Sequence, residues 1–285
     1  MGSSLKGKTA IVTGSGSGVG RAYALALAAE GARVIVNDTT IASAAKVADE
    51  IAMAGGMAQA NSDDVADFEA SARIAEQALG AFGSIDILVA NAGIIRPCNI
   101  HEMEAEDWSQ VLAVHANGTF NCYRHVVPHM ILRGGGSIIT TGAKPMDTYF
   151  PGLAAYRAAK AAILVLTLNA SRELKEHNIN VNSVMPGATA TPMQQTFMAS
   201  LAEKGINVAQ DWPPAAPPET VPPVGVLLCT DAWRHITGLS FYLRGTTISV
   251  ATSYGELASL SPAAGDWEEH ELGEMLPSLV AQARS

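Results

Sequence analysis

Short apolar runs alternate with longer, alanine-rich amphipathic stretches along the first 185 residues of the chain. The apolar runs are almost continuous, which is typical of parallel strands that helices cover on both faces. The pattern predicts strands at residues 9–13, 33–37, 57–61, 85–90, 137–141 and 180–185. It predicts helices between them at residues 19–30, 41–54, 66–82, 105–133 and 154–177. We therefore expect an α/β fold built on a doubly wound parallel sheet.

The alternation breaks after residue 186. Prolines are then too frequent for one helix, at Pro213, Pro214, Pro217, Pro218, Pro222 and Pro223. A long irregular segment in a compact domain is usually functional, so we expect a lid at about 187–223. A short helix near 219–229 and a strand near 239–250 complete the predicted sheet. The prediction is a single domain over 1–251 with a partly helical C-terminal extension over 252–285.

Charge and cysteine content exclude several classes of protein. Eighteen Lys and Arg against 27 Asp and Glu give a net charge of −9, which opposes binding to nucleic acid. Cys98, Cys122 and Cys229 form no CxxC pair, so we expect neither a disulfide framework nor a thiolate metal site. His125 and His129 have helical spacing but no third ligand nearby, so no metal is expected. The chain shows no secretory signal and no membrane-spanning run, which predicts a cytoplasmic protein without a membrane partner.

A glycine-rich stretch, TGSGSGVG at 13–20, joins the first predicted strand to the first helix. Glycines permit a tight turn there and let N–H groups at the positive helix N-terminus approach a pyrophosphate. Asp38 ends the second predicted strand, where a carboxylate can accept both ribose hydroxyls of an adenosine. That carboxylate would repel a 2′-phosphate, so the sequence favours NAD over NADP. The alternatives are an ordinary strand–helix turn and a solvated carboxylate.

Tyr156 and Lys160 lie four residues apart on a predicted helix and therefore share one face. A phenol with a pKa of about 10 is a poor base at neutral pH, but a nearby ammonium favours the phenolate. We therefore expect Lys160 to lower the pKa of Tyr156, which then acts as a general acid and base. A surface contact is the alternative for such a pair in isolation.

Taken together, these motifs resemble the short-chain dehydrogenase/reductase family over residues 5–250. The matching patterns are TGxxxGxG at 13–20, NAG at 91–93, YxxxK at 156–160 and PGxxxT at 186–191. The resemblance implies a Rossmann-like fold and hydride transfer between a nicotinamide and a carbinol carbon, with Tyr156 moving the proton and Lys160 holding the nicotinamide ribose. It implies cofactor contacts from Gly14, Ser17, Gly18, Val19, Gly20, Asp38, Asp64, Val65, Asn91, Ala92, Gly93, Tyr156, Lys160, Pro186, Gly187, Ala188 and Thr191.

Two catalytic positions depart from the family pattern. The family Ser, thirteen residues before the Tyr, is Ala143 here, and loss of a donor to the reacting oxygen would cost about 10²-fold in rate. Thr141, two residues earlier on the same strand face, is a candidate substitute hydroxyl. His115 replaces the family Asn, and two hypotheses are open for it. It either anchors a water beside Lys160 and relays protons, or is a buried His with satisfied hydrogen bonds.

Four residues of the predicted lid are candidates to line an apolar substrate pocket, although core packing explains them almost as well. They are Met193, Phe197, Met198 and Trp212. The stretches 115–124 and 236–250 look most like the branch of hydroxyacyl-CoA dehydrogenases. In the family the helix around 158–168 packs across a subunit interface, so a homotetramer or dimer is expected.

The sequence thus predicts an NAD-dependent oxidoreductase that interconverts a secondary alcohol and a ketone on a fairly apolar small molecule. Because Ala143 replaces the usual Ser, an alternative stays open: a cofactor-binding relative with little redox turnover. Such a relative would have a binding or regulatory role, run non-redox chemistry in the same pocket, or be an engineered inactive variant.

Overall fold

The computed structural model describes residues 4–143, 151–203, 214–244 and 247–251. Within them, one sheet has the strand order β3-β2-β1-β4-β5-β6-β7-β8. The strands are β1 (Thr9–Val12), β2 (Arg33–Asn37), β3 (Met57–Asn61), β4 (Ile87–Ala90), β5 (Gly136–Thr141), β6 (Ile179–Pro186), β7 (Ser240–Arg244) and β8 (Thr247–Ala251). The helices are α1 (Gly18–Ala29), α2 (Ile41–Met53), α3 (Phe68–Phe82), α4 (Ala105–Leu112), α5 (Gly118–Arg133), α6 (Ala154–Glu173), α7 (Pro192–Glu203) and α8 (Pro222–Leu228).

The sheet is parallel from β3 to β7, and only the edge strand β8 runs antiparallel to its neighbour. Strands β1 and β4 are buried along their whole length, as their continuous apolar sequences require. Strand β3, at the edge, alternates exposed and less exposed positions instead. The predicted α/β fold with a doubly wound parallel sheet is confirmed.

Helices pack on both faces of this sheet and bury a hydrophobic core on each. On one face, Tyr23 and Leu27 of α1 pack with Leu228 of α8. On the other, Ile74 of α3 packs with Met130 of α5. With both faces covered, polar side chains can reach solvent only at the ends of the central strands, which is where a ligand site must lie.

Three predicted elements differ from the structure. The predicted helix 105–133 is interrupted by a wide π-helical turn, Ala113–Asn117, between α4 and α5. The predicted strand 239–250 is the antiparallel pair β7 and β8. The segment 187–223 is not irregular throughout, because it contains α7, whose first turn is capped by the Thr191 hydroxyl that accepts a hydrogen bond from Gln194 N (3.2 Å). Hydrophobic periodicity reveals neither the extra residue of a π-helical turn nor a reversal of chain direction within an apolar run.

The predicted extension 252–285 lies outside the described residues, so the division at 251 and the lid stay predictions. Among the helices that the structure describes, none combines the length and the apolar composition that crossing a bilayer requires.

Candidate functional site

The carboxyl ends of the parallel strands bring the predicted site residues to one edge of the sheet. Strand order reverses at β1, which has β2 on one side and β4 on the other. Connections therefore leave these strands in opposite directions and open a crevice, the usual ligand site of a doubly wound sheet. The glycine-rich turn follows β1, Asp38 follows β2, Asn91 follows β4, and Thr141 ends β5.

Glycine is required in the turn that follows β1. Gly14 and Gly18 have φ values of 61° and 53°, in the left-handed region. A Cβ at Gly14 would lie 2.7 Å from the Cα of Ala92, and a Cβ at Gly20 would overlap the carbonyl oxygen of Gly14. The turn therefore packs directly against the segment after β4. Ser17, at the start of α1, provides no side-chain cap, so the first N–H groups of this helix stay open to an anion.

Asp38 is fixed against this turn by two backbone donors. Its Oδ2 accepts a hydrogen bond from Gly16 N (3.1 Å), and its Oδ1 accepts one from Thr40 N (3.0 Å). A Cβ at Gly16 would lie 2.7 Å from the same Oδ2. Each carboxylate oxygen has further lone pairs, so Asp38 can still accept hydroxyls from a ligand that lies in the crevice.

Asn91 links the glycine-rich turn to β5. Its amide nitrogen donates to the carbonyl oxygens of Thr13 (3.0 Å) and Gly14 (3.2 Å). Its Oδ1 accepts the hydroxyl of Thr141 at 3.0 Å. The proton of Thr141 is therefore already donated to Asn91, which weakens the prediction that this hydroxyl substitutes for the missing Ser at Ala143.

Lys160 and Tyr156 project from the first turns of α6 toward the end of β5. The Lys160 side chain is buried, and its Nζ donates to the carbonyl oxygen of Thr141 at 2.5 Å. The same Nζ lies 5.6 Å from the centre of the Tyr156 ring. The two side chains that the sequence paired by spacing are thus together in space, beside the strand end that carries Thr141.

The predicted effect of Lys160 on Tyr156 is wrong in this site. Tyr156 is half-buried, and burial raises its pKa to about 12, against a smaller opposing effect of Arg157. Burial likewise lowers the pKa of Lys160 to about 7. A lysine with a pKa of about 7 is only partly protonated at neutral pH and offers a phenolate less positive charge than an ordinary ammonium does, so desolvation dominates the pKa of Tyr156.

His115 is completely buried in the wide turn between α4 and α5. Its Nε2 lies 2.8 Å from the carbonyl oxygen of Ile94 and 3.1 Å from the amide nitrogen of the same residue. Its ring meets the Tyr156 ring edge-on, with centroids 5.4 Å apart and an interplanar angle of 88°. The imidazole also covers Gly93, where a Cβ would overlap its Cε1. His115 therefore joins the segment after β4 to Tyr156.

The electrostatic surroundings keep His115 neutral. Burial, and secondarily the charge of Lys160, lower its pKa to about 3, while the hydrogen bond to Ile94 acts in the opposite direction. A proton relay through His115, part of the first of its two hypotheses, would need an imidazole that titrates near neutral pH, and this interior position disfavours the imidazolium. Its Nδ1 is buried and has no hydrogen-bond partner among the described residues, so the hypothesis that His115 anchors a water stays a prediction.

The remaining predicted cofactor residues surround the same edge. Pro186 ends β6, and Gly187 N donates to the carbonyl oxygen of Leu243 at 2.7 Å. Thr191 reaches across to the glycine-rich turn, since a Cβ at Gly18 would lie 3.1 Å from its Cγ2. At the opposite end, Asp64 and Val65 follow β3 in the loop before α3.

Apolar side chains pack in one cluster with Tyr156. Tyr156 packs with Ile95 and Met198 against a buried cluster formed by Leu153, Phe197 and Leu201. Phe197 is thus a core residue, while Met193 and Met198 stay partly exposed. Trp212 lies outside the described residues. Sequence reasoning missed Ile95 and Leu153, whose only signal is their position in loops beside the NAG and YxxxK motifs.

The metal alternative gains no support from the described residues, which contain no group of three His, Cys, Asp or Glu suited to hold an ion. His125 instead packs against Phe68, with ring centres 4.4 Å apart.

Comparison with known proteins gives one consistent result. Residues 8–202 match the model of a family described as short chain dehydrogenase. The chain is 32% identical over 250 residues to cyclohexanol dehydrogenase of Acinetobacter sp. (strain SE19), covering 87% of this chain and 98% of that protein.

Two solved structures are similar along most of their length. One is a short chain dehydrogenase from Mycobacterium avium (TM-score 0.85, 33% identity, 99% of this chain and 97% of that one). The other is a 7α-hydroxysteroid dehydrogenase complexed with NADH and 7-oxo glycochenodeoxycholic acid (TM-score 0.77, 30% identity, 85% and 94%).

Proposed function

The chain belongs to the short-chain dehydrogenase/reductase family of oxidoreductases acting on CH–OH groups, and on that premise we propose that it uses NAD to interconvert a secondary alcohol and a ketone. The observation that carries the proposal is the placement of Tyr156 and Lys160 at the end of β5, in the crevice whose other end holds Asp38. Fluorescence titration with NADH, followed by a screen of secondary alcohols for formation of reduced nicotinamide, tests it. A protein that binds no NADH would contradict it.

The residues present fit a dinucleotide. The close approaches at Gly14 and Gly20 leave backbone rather than side chains facing the crevice, and the open N–H groups of α1 suit a pyrophosphate. Asp38 would accept the adenosine ribose hydroxyls, and Lys160 would hold the nicotinamide ribose. When bound, the nicotinamide supplies hydride transfer. Tyr156 gives a proton to the carbonyl oxygen during reduction and takes it from the carbinol oxygen during oxidation.

The substrate we propose is a fairly apolar small molecule. Ile95 and Met198 pack beside Tyr156 and are partly exposed, so they offer apolar surface next to the group that moves the proton. The cyclic alcohol for which one relative is named, and the steroid for which one similar structure is named, agree with this class. The likeness to hydroxyacyl-CoA dehydrogenases stays an expectation.

Asp38 is expected to determine the choice of cofactor. The Asp38→Asn variant keeps the shape of the side chain but removes the charge that would repel a 2′-phosphate. We expect the ratio of kcat/KM for NAD to that for NADP to fall at least about tenfold. The matched control is Glu173→Gln, which removes one exposed carboxylate at the end of α6 and should leave the ratio unchanged. If the unmodified protein prefers NADP, the assignment of Asp38 is wrong.

The pH dependence should differ between the two directions of the reaction. Oxidation needs Tyr156 as the phenolate, and its pKa is raised to about 12. We therefore expect kcat/KM for alcohol oxidation to rise about tenfold per pH unit between about pH 7 and pH 10. Ketone reduction needs the protonated phenol, so its kcat/KM should stay flat over this range. A plateau in oxidation below about pH 8 would contradict the raised pKa.

A second candidate function is a cofactor-binding protein with little redox turnover. Two observations favour it: Ala143 has no hydroxyl, and the hydroxyl of Thr141 is donated to Asn91. This candidate predicts NADH binding without measurable oxidation of any secondary alcohol. The Ala143→Ser variant separates the two, since only a redox enzyme with measurable turnover of its own would be active without it.

Assembly into dimers or tetramers remains part of the proposal. Phe120 on α5 and Val165 on α6 are about half exposed, as apolar residues of a subunit interface would be in an isolated chain. The expected cytoplasmic location stays a prediction.

A further inference from the structure

Three buried asparagines converge on the loop between β3 and α3. Asn37 and Asn61 end β2 and β3 and face each other in register, while Asn121 comes from α5. Their exposed fractions are only 2%, 5% and 5%. We call these three residues the asparagine clamp.

Each member of the clamp bonds the backbone of the same loop, residues 63–66. The Asn37 amide nitrogen donates to the carbonyl oxygen of Asp63 at 2.8 Å. The Oδ1 of Asn61 accepts Asp63 N at 3.0 Å and also accepts the amide of Asn37 at 2.7 Å. From α5, the Asn121 amide donates to the carbonyl oxygen of Val65 at 2.9 Å. The loop is therefore held both by the sheet and by α5.

The clamp is closed by further partners and leaves no amide hydrogen of Asn61 unpaired. The Asn61 nitrogen donates to Gln77 Oε1 (2.7 Å) and Asp63 Oδ2 (2.8 Å). Arg73 in turn pairs with the Asp63 carboxylate at 2.7 Å. A buried polar network in which every member is satisfied is rigid, and it fixes one arrangement of the backbone.

The same network contacts the residue assigned to the adenosine ribose. The carbonyl oxygen of Asn61 accepts Asp38 N at 3.1 Å, and Asp38 directly follows Asn37. The family resemblance places this loop, with Asp64 and Val65, beside the adenine. Asn61 thereby connects the loop to Asp38. Each amide pairs a backbone group of the loop that an apolar side chain at the same position would leave without this partner.

We propose that the asparagine clamp is a positioning device that preorganises the adenosine end of the cofactor site. It acts through the backbone of loop 63–66 and touches neither substrate nor nicotinamide. The inference rests on the proposed function, because it presupposes an adenine dinucleotide in the crevice. Loss of a clamp residue should therefore weaken binding of the adenosine half of the cofactor without lowering kcat at saturating cofactor.

The test uses Asn61→Ala and Asn121→Ala, which remove the bonds that the loop receives from β3 and from α5. For each, we expect the Kd of NADH and the Kd of ADP-ribose, which has no nicotinamide, to rise together about tenfold. At saturating NAD, kcat and the KM for the alcohol should stay within about twofold. Calorimetry gives the Kd values, and steady-state assays give the rest.

The matched control is Asn182→Ala. Asn182 is fully buried on β6 and makes two comparable hydrogen bonds, to the carbonyl oxygen of Ile236 (2.8 Å) and from Leu239 N (3.1 Å). Its loss should lower Tm like the clamp variants but leave both Kd values unchanged. A purely structural role for the clamp would make all three variants alike, which overturns the proposal.

A measurement on the unmodified protein covers the case in which a variant does not fold. Hydrogen exchange should show the Asp63 amide protected before any cofactor is added, because the Oδ1 of Asn61 accepts its hydrogen bond. Rapid exchange of this amide would overturn the proposal. If the unmodified protein does not bind NADH, the proposed function is contradicted. If the unmodified protein and both clamp variants bind NADH equally well, only the role of the clamp is contradicted.

Discussion

Replacing Tyr156 by phenylalanine is expected to lower kcat for alcohol oxidation by about 10²–10⁴-fold, the usual contribution of a positioned acid or base. The substitution removes one hydroxyl and keeps the ring that meets His115 edge-on and lies 5.6 Å from Lys160 Nζ. The Kd of NADH should therefore stay within about twofold, because no proposed cofactor contact except that hydroxyl is lost. Fluorescence titration and initial rates at saturating NAD measure the two quantities.

Tyr23→Phe is the matched control for this experiment. Tyr23 is buried on α1, and its hydroxyl has no hydrogen-bond partner among the described residues. Its removal deletes the same group from a position with no role in proton transfer, so kcat should not change. Equal turnover in Tyr156→Phe and Tyr23→Phe would remove Tyr156 from the mechanism.

The sheet and the cofactor end of the site were predictable because their signals are local. Strands β2 and β3 have the predicted bounds, since each is a short run followed directly by polar residues. Glycines at 14, 18 and 20 are required by the sharpness of one turn, and such a turn is visible in sequence. The position of Asp38 then follows from the end of β2.

The electrostatics of the site were not predictable, because burial is a property of the folded chain. Spacing correctly predicted that Lys160 lies beside Tyr156. It could not predict the desolvation that lowers the pKa of Lys160 and raises that of Tyr156. The sequence likewise identified His115 but could not choose between its two hypotheses. The wide turn that carries it inward, and the Ile94 backbone that bonds it, are visible only in three dimensions.

The asparagine clamp illustrates a different limit. Asn37, Asn61 and Asn121 are far apart in the sequence, and asparagine at a strand end usually indicates a turn. Only the pairing of β2 with β3 and the packing of α3 against α5 bring the three amides onto one loop. Buried amides can therefore be recognised as a network only after the topology is known.

Restoring a serine at position 143 is expected to raise kcat by about 10²-fold, the effect associated with one hydrogen-bond donor to a reacting oxygen. Position 143 follows β5 at the same edge as Thr141, whose carbonyl oxygen accepts Lys160 Nζ, and its side chain is partly exposed. A hydroxyl there would supply the donor that Thr141 does not, because the Thr141 proton is donated to Asn91.

The control is Ala143→Cys, which adds a group of similar size that is a weak donor and should raise kcat much less than serine does.

Combining Ala143→Ser with Thr141→Val tests the division of roles directly. If Thr141 only fixes Asn91, its loss should weaken NADH binding but preserve most of the gain in kcat that the Ala143→Ser substitution gives. If Thr141→Val alone abolishes the turnover of the unmodified protein, Thr141 is the substitute hydroxyl after all. If turnover is measurable only in Ala143→Ser while all variants bind NADH, the natural role of the chain is cofactor binding without redox chemistry.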